Sequence, residues 1–132
     1  MAYVYPDAEK LQHTPLVGSH QCVALVQFYA DAPSTSFWRQ GDDVRGNSTL
    51  PVGTAIATFF DGRYPNFKHG NHAAFYLGQD AHGVYVMDQW ANDARRKPFV
   101  SRRCLIFQGK DEHGNFRDPS NNGDAFSVIE RD

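Results

Sequence analysis

Apolar positions along the chain change period once. Between His20 and Ala30 they fall at Cys22, Val23, Leu25, Val26 and Tyr29, the stripe of a helix laid on a core. Gly18 breaks the chain ahead of this stretch, and Ser19 is placed to cap it, so Cys22 is expected inside the first turn. Asp31-Ala32-Pro33-Ser34 ends it. Downstream the pattern becomes β-like, in runs over Gly53–Phe60, His72–Gly78, Gly83–Trp90, Phe99–Gln108 and Ala125–Glu130. Gln79-Asp80-Ala81-His82 is short enough to join the second and third runs as a hairpin. Residues 1–18 read as an extended lead-in with one helical turn near Ala8–Gln12, and residues 33–51, with Pro33, Gly41, Gly46, Asn47 and Pro51, as a long loop. One helix followed by about five strands predicts an α+β fold with a largely antiparallel sheet, in a single domain over 1–132.

Composition narrows the function classes. The chain has 132 residues, 41% of them hydrophobic and 14% aromatic, enough for one packed core rather than a disordered segment. A formal net charge of −2 argues against nucleic acid as a partner. The basic cluster Arg95-Arg96-Lys97 with Arg102-Arg103 reads as a solvated edge balanced by acids elsewhere, with a binding role for an anionic or polar substrate as the alternative. The longest apolar run, Thr54 to Phe60, is far short of the roughly 18 residues of a membrane span. The first residues lack the charged and apolar regions of a signal peptide, so synthesis in the cytoplasm is expected, with any export by another route. Two cysteines are too few for a disulfide scaffold. Cys104 is expected to be a small buried hydrophobe within Arg103–Phe107, and Cys22 to be free.

The candidate chemistry centres on Cys22. Unpaired amides and the dipole at a helix start favour a thiolate, and the same amides can hold an oxyanion. Of the six histidines, His13 lies in the lead-in, His82 and His113 sit beside glycines, and His20 points away from Cys22. His72 is different, because it opens a strand. Period-two alternation puts His72, Ala74 and Tyr76 on one face, and the small Ala74 suggests that the helix packs on that face, bringing Cys22 to His72. Asp88 ends the next run on a face shared with Val84 and Val86, where a buried carboxylate needs a partner and His72 supplies one. Gln89 is the alternative orienter of His72. Trp38, Tyr64 and Trp90 are candidate walls of a substrate groove. His69 and His72 form an H-x-x-H pair that Cys22 or Asp88 could complete as a zinc site. Gly70-Asn71 between them disfavours the helix that such spacing suits, so no metal and no other cofactor is expected.

Ser19-His20-Gln21-Cys22-Val23-Ala24-Leu25-Val26 resembles the helix start of CHAP-type and NlpC-type proteins, the bacterial branch of the papain-like cysteine hydrolases. Gly70-Asn71-His72-Ala73-Ala74-Phe75-Tyr76-Leu77-Gly78 is similar to their histidine strand, Val52–Phe59 to the strand before it, and Met87-Asp88-Gln89-Trp90 to the segment carrying their acid. Trp90 stands where asparagine is common, and no signature appears beyond residue 91. The resemblance implies a papain-like shell and a Cys22–His72–Asp88 thiol mechanism, with Gln21 and Gln89 as oxyanion or auxiliary groups. It also implies hydrolysis of an amide bond in peptidoglycan stem peptides. Small size, with neither signal peptide nor wall-binding repeat, resembles the amidase effectors of type VI secretion, which act in a target periplasm and are paired with an immunity protein. The competing readings are a non-catalytic binding or inhibitory protein on the same shell, and a papain-like hydrolase or transferase for another amide or thioester.

Overall fold

The computed structural model describes residues 1–131. A helix, α1 (Cys22–Ala30), is followed by six strands: β1 (Arg39–Asp43), β2 (Ala55–Thr58), β3 (Ala73–Gln79), β4 (Gly83–Asp88), β5 (Ser101–Ile106) and β6 (Phe126–Glu130). They form one sheet in the order β1-β6-β2-β3-β4-β5, and every neighbouring pair is antiparallel. The α+β class and the five expected strands are present, and the lead-in carries its single turn, a 3-10 helix at Ala8–Leu11. The sixth strand, β1, lies inside the stretch expected to be loop. Its residues Arg39-Gln40-Gly41-Asp42-Asp43 contain no apolar position, because it is an exposed edge paired only with β6.

Both faces of the sheet are covered, which is why β2, β3 and β4 are buried almost throughout. On one face Leu25, Val26 and Ala30 of α1 pack with Ala55, Ala57, Ala73, Phe75 and Leu77. On the other, Ile56, Ala74, Tyr76, Val84, Val86 and Phe126 pack under the connections that carry Val44 and Phe107. This corrects the expected placement of the helix, which lies over Ala73, Phe75 and Leu77 and not over Ala74 and Tyr76. Because β3 is apolar on both sides, alternation marks the two faces but not which one the helix takes.

The lead-in straps the helix side of the molecule. Val4 bridges Thr54, Pro15 bridges Phe99, and the Tyr5 amide donates to the Gly53 carbonyl at 2.9 Å. Gly53 has φ +92°, and a side chain there would run into the Tyr5 carbonyl, so only glycine fits this crossing. Cys104 is exposed and not buried as expected, because β5 is the other edge strand and its outward positions, Arg102, Cys104 and Ile106, face solvent.

Candidate active site

Cys22 is the first residue of α1, and Gln21 is the N-cap. The helix therefore starts later than Ser19 would have it. Ser19 Oγ instead accepts the Gln21 N–H at 3.4 Å, and Gly18 and His20 turn the chain with φ of +58° and +69°. The start is set from the sheet, through Gln89. This fully buried amide accepts the Val17 N–H at 2.9 Å and donates to the carbonyls of Val17 and Gln21 at 3.1 and 2.8 Å. Gln89 thus makes its side-chain bonds to the segment that leads into Cys22, a role that residue order alone does not reveal.

His72 directly precedes β3. Its N–H donates to Thr58 Oγ1 at 3.0 Å and its carbonyl accepts the Thr58 N–H at 3.0 Å, so β2 holds its backbone on both sides. The ring is buried edge-on to Trp90 and Phe126, with centroids 6.4 and 6.3 Å away. Its Nε2 lies 2.8 Å from Asp88 Oδ2. An ionised carboxylate only accepts, so Asp88 keeps a proton on Nε2 and leaves Nδ1 for other partners. The helix lies on the opposite face from Ala74 and Tyr76, yet thiol and imidazole interact, because Cys22 stands at the very end of α1, beside the start of β3. The sulfur also accepts the Ala73 N–H and lies 3.7 Å from the Tyr64 hydroxyl. That hydroxyl in turn accepts from Asn71 Nδ2 at 3.3 Å.

Asp88 is fully buried at the end of β4. Besides His72 it accepts from Lys97 Nζ at 2.7 Å, on Oδ1, and from Arg103 Nε at 2.6 Å, on Oδ2. The basic cluster is therefore not wholly a solvated edge. Arg95, Arg96 and Arg102 are exposed, but Lys97 is buried and Arg103 is half-buried. The two cations lie 4.6 and 5.0 Å from the Trp90 ring centre, positions that favour cation–π attraction. Arg103 also donates to Asn121 Oδ1 at 2.7 Å and to the Ser120 carbonyl at 3.3 Å, which ties the acid to the far wall of the cleft.

This arrangement sets the charge states. Burial opposes a charged Asp88, but the hydrogen bond from His72 and the charges of His72, Arg103 and Lys97 outweigh it and hold the carboxyl well below its usual range. Burial likewise opposes a charged His72. Hydrogen bonds with Asp88 and Cys22, and the charges of both, nevertheless raise it from 6.5 to about 9. Burial raises the Cys22 thiol, while the hydrogen bond and charge of His72, the Tyr64 hydroxyl and the Ala73 N–H lower it, leaving it below its ordinary 9.0. Burial and the neighbouring Cys22 charge push the Tyr64 phenol far up. Both shifts run in the direction of a Cys22 thiolate beside a His72 imidazolium.

Cys22 and His72 open into a cleft of about 640 Å³, walled by Gln21, Asn71, Trp90, Arg103 and Asn121 among others. Of the expected groove residues, Trp90 lines this cleft and Tyr64 contacts the Cys22 sulfur through its hydroxyl. Trp38 does neither. It is fully buried, stacks edge-on against Tyr64 at 5.0 Å and donates its indole N–H to the Pro33 carbonyl at 3.0 Å. His69 lines the cleft from an exposed position, apart from the buried His72–Asp88 pair. Among the described residues no group of three or more His, Cys, Asp or Glu side chains is arranged to hold a metal ion.

The model of the family described as domesticated amidase effector 2, Dae2, matches residues 5–129. The chain belongs to the Dae2 family. A type VI secretion amidase effector 2 protein of Salmonella typhi is 48% identical to it, over 98% of this chain and all of that protein. A domesticated amidase effector 2 of Ixodes scapularis is 36% identical, over 86% of this chain and 73% of its own length. A solved structure of a type 6 secretion amidase effector 2 (Tae2) superposes with a TM-score of 0.91 at 47% identity, covering 98% of this chain and 95% of that one. The Dae2 match spans Cys22, His72 and Asp88 together with the sheet that holds them.

A lowered thiol has a direct signature. Iodoacetamide is expected to alkylate Cys22 faster than Cys104 at pH 6 to 7, although Cys104 is the more exposed. Peptide mass spectrometry over time reads both rates. Equal or slower modification of Cys22 would remove the case for an activated thiol.

Proposed function

We propose that this protein is a papain-like cysteine amidase that cleaves an amide bond in peptidoglycan stem peptides, and that it acts as an antibacterial effector exported by type VI secretion. The observation that carries this reading is the linked set Cys22, His72 and Asp88, with the sulfur at a helix start and facing a cleft. The Dae2 membership and the amidase effector relatives support the substrate class and the route. An immunity protein in the producing cell is the partner that such an effector requires.

In the proposed mechanism the Cys22 thiolate attacks the scissile carbonyl and His72 holds the thiol proton. The Cys22 N–H at the helix start, with the Gln21 side chain at the cleft wall, stabilises the oxyanion. His72 then protonates the leaving amine, giving an acyl-enzyme thioester. Next His72 takes a proton from water, which attacks the thioester, and the thiolate is released. Asp88 keeps the imidazole in the required tautomer throughout.

Digestion of purified sacculi tests the reading. Mass spectrometry of the soluble products is expected to show new peptide termini from a single type of amide bond. Intact sacculi after prolonged incubation with folded protein would reject it.

A further inference from the structure

A second depression, of about 660 Å³, adjoins the cleft. Phe67, His69 and Gly70 line both, so the two depressions meet along the segment 67–70. The second is walled by the rings of Phe60, Phe67 and Phe116, with Asp61, Asn115 and Asp118 also lining it. Phe60 and Phe67 are 57% and 50% exposed, and their rings meet edge to face at 5.5 Å. The fold presents Phe60 deliberately. It exchanges both backbone hydrogen bonds with Arg63, at 2.8 and 3.0 Å, across a tight turn in which Asp61 and Gly62 have positive φ. Rings left half in water forgo part of the stabilisation that burial would give, and exposed apolar clusters with a polar rim mark binding surfaces.

Charge distinguishes the two depressions. The catalytic cleft carries the exposed Lys68, a cation suited to the free carboxylates of a stem peptide, beside Arg103, whose guanidinium is held by Asp88, Asn121 and the Ser120 carbonyl. The phenylalanine pocket carries the carboxylates of Asp61 and Asp118, which repel such groups but accept hydrogen bonds from hydroxyls. The glycan strand attached to the stem peptide offers neutral pyranose rings with apolar C–H faces, hydroxyls and acetamido groups. We propose that the Phe60–Phe67–Phe116 pocket is a glycan subsite that binds an N-acetylated pyranose of the strand while the stem peptide lies over Cys22. This rests on the peptidoglycan reading and adds a preference for sugar-bearing over free peptide substrates.

Two measurements on the full chain test it. Peptide-free strands of alternating N-acetylated sugars, titrated into labelled protein, are expected to shift the amide resonances of Phe60, Asn115 and Phe116, and Phe60→Ala is expected to abolish those shifts. In kinetics, Phe60→Ala is expected to raise KM about tenfold for a sugar-bearing muropeptide and to leave the sugar-free peptide unchanged. Absence of shifts at millimolar glycan overturns the proposal. So does an equal loss on both substrates, which would make the pocket a peptide subsite, or no loss on either, which would leave the rings to a protein partner. Wild-type protein inert on both substrates would reject the amidase reading itself, while the glycan titration still decides the pocket.

Discussion

Cys22→Ala is expected to lower hydrolysis of sacculi by about 10³-fold or more while the protein stays folded. The Cys22 thiol opens into the cleft and is the nucleophile of the proposed mechanism, whereas its replacement by a methyl group in a half-buried site removes little volume. Cys104→Ala, on the open edge of β5, should leave turnover unchanged. Stability against pH gives a second readout. In the wild type, the folded His72 holds a proton up to about pH 9 that an unfolded histidine loses near 6.5. Alone, this contribution is complete below pH 6.5 and fades as pH rises through the folded value. Cys22 has the opposite sign: its lowered thiol contributes above the unfolded value of 9.0 and loses that contribution as pH falls through the folded value. Where the folded pair is thiolate–imidazolium and the unfolded pair is thiol–imidazole, both states bind one proton and stability is level. Cys22→Ala breaks the cancellation. The variant should lose stability above pH 6.5, with a limiting slope of about 1.4 kcal/mol per pH unit, and level off below pH 9 because Cys22 no longer helps to raise His72. Urea unfolding at pH 6, 7, 8 and 9 measures this. Parallel profiles for wild type and variant would show that no ion pair exists at rest. Full activity of the alanine variant would end the thiol mechanism.

Most of this site was legible in the sequence, for physical reasons that also mark where legibility stops. Cys22, His72 and Asp88 stand at ends of elements, where hydrophobic periodicity breaks off at a polar group, and such a break can be read locally. The structure brings these three together. The helix face could not be read the same way, because Ala73, Phe75 and Leu77 are as apolar as Ala74 and Tyr76. Nor could β1, whose five residues follow no apolar alternation because neither side of this edge strand meets the core. Ser19 has good capping chemistry, yet the Gln89 bonds to Val17 and Gln21 hold the lead-in so that the helix begins at Cys22. Lys97 looked like one member of a solvated cluster. Its only distinction is to lie close in space to an acid that needs positive charge, and one-dimensional spacing hides that. Alternation within Ser101–Ile106 did carry a signal for Arg103, which shares its face with the buried Leu105 and not with the outward Arg102, Cys104 and Ile106.

Asp88→Asn is expected to lower turnover by about 10²- to 10⁴-fold and to destabilise the fold as well, because this side chain serves two functions at once. As the acceptor for His72 Nε2 it selects the tautomer that can serve Cys22. As the only carboxylate bonded to both Lys97 and Arg103 among the described residues, it neutralises cations that burial would otherwise penalise. Asparagine has one acceptor oxygen for three donors, and its amide group must turn toward one of them. Removing one partner of a buried ion pair costs about 3–5 kcal/mol, and Lys97, 3% exposed, has little water to fall back on. The two losses separate in the double variant Asp88→Asn with Lys97→Met, which removes the stranded ammonium but not the tautomer defect. Its melting temperature should recover much of the deficit while turnover stays low. Lys97→Met alone leaves Arg103 and His72 on the carboxylate and should retain most of the activity. The lowered acid also predicts that the contribution of Asp88 itself to stability is lost only on acidification below the ordinary carboxyl value of 3.8, as protons enter first the unfolded chain and then Asp88. Asp88→Asn should flatten that decline. If the double variant regained turnover together with stability, Asp88 would be a structural counter-ion, and the orientation of His72 would have to come from elsewhere in the cleft.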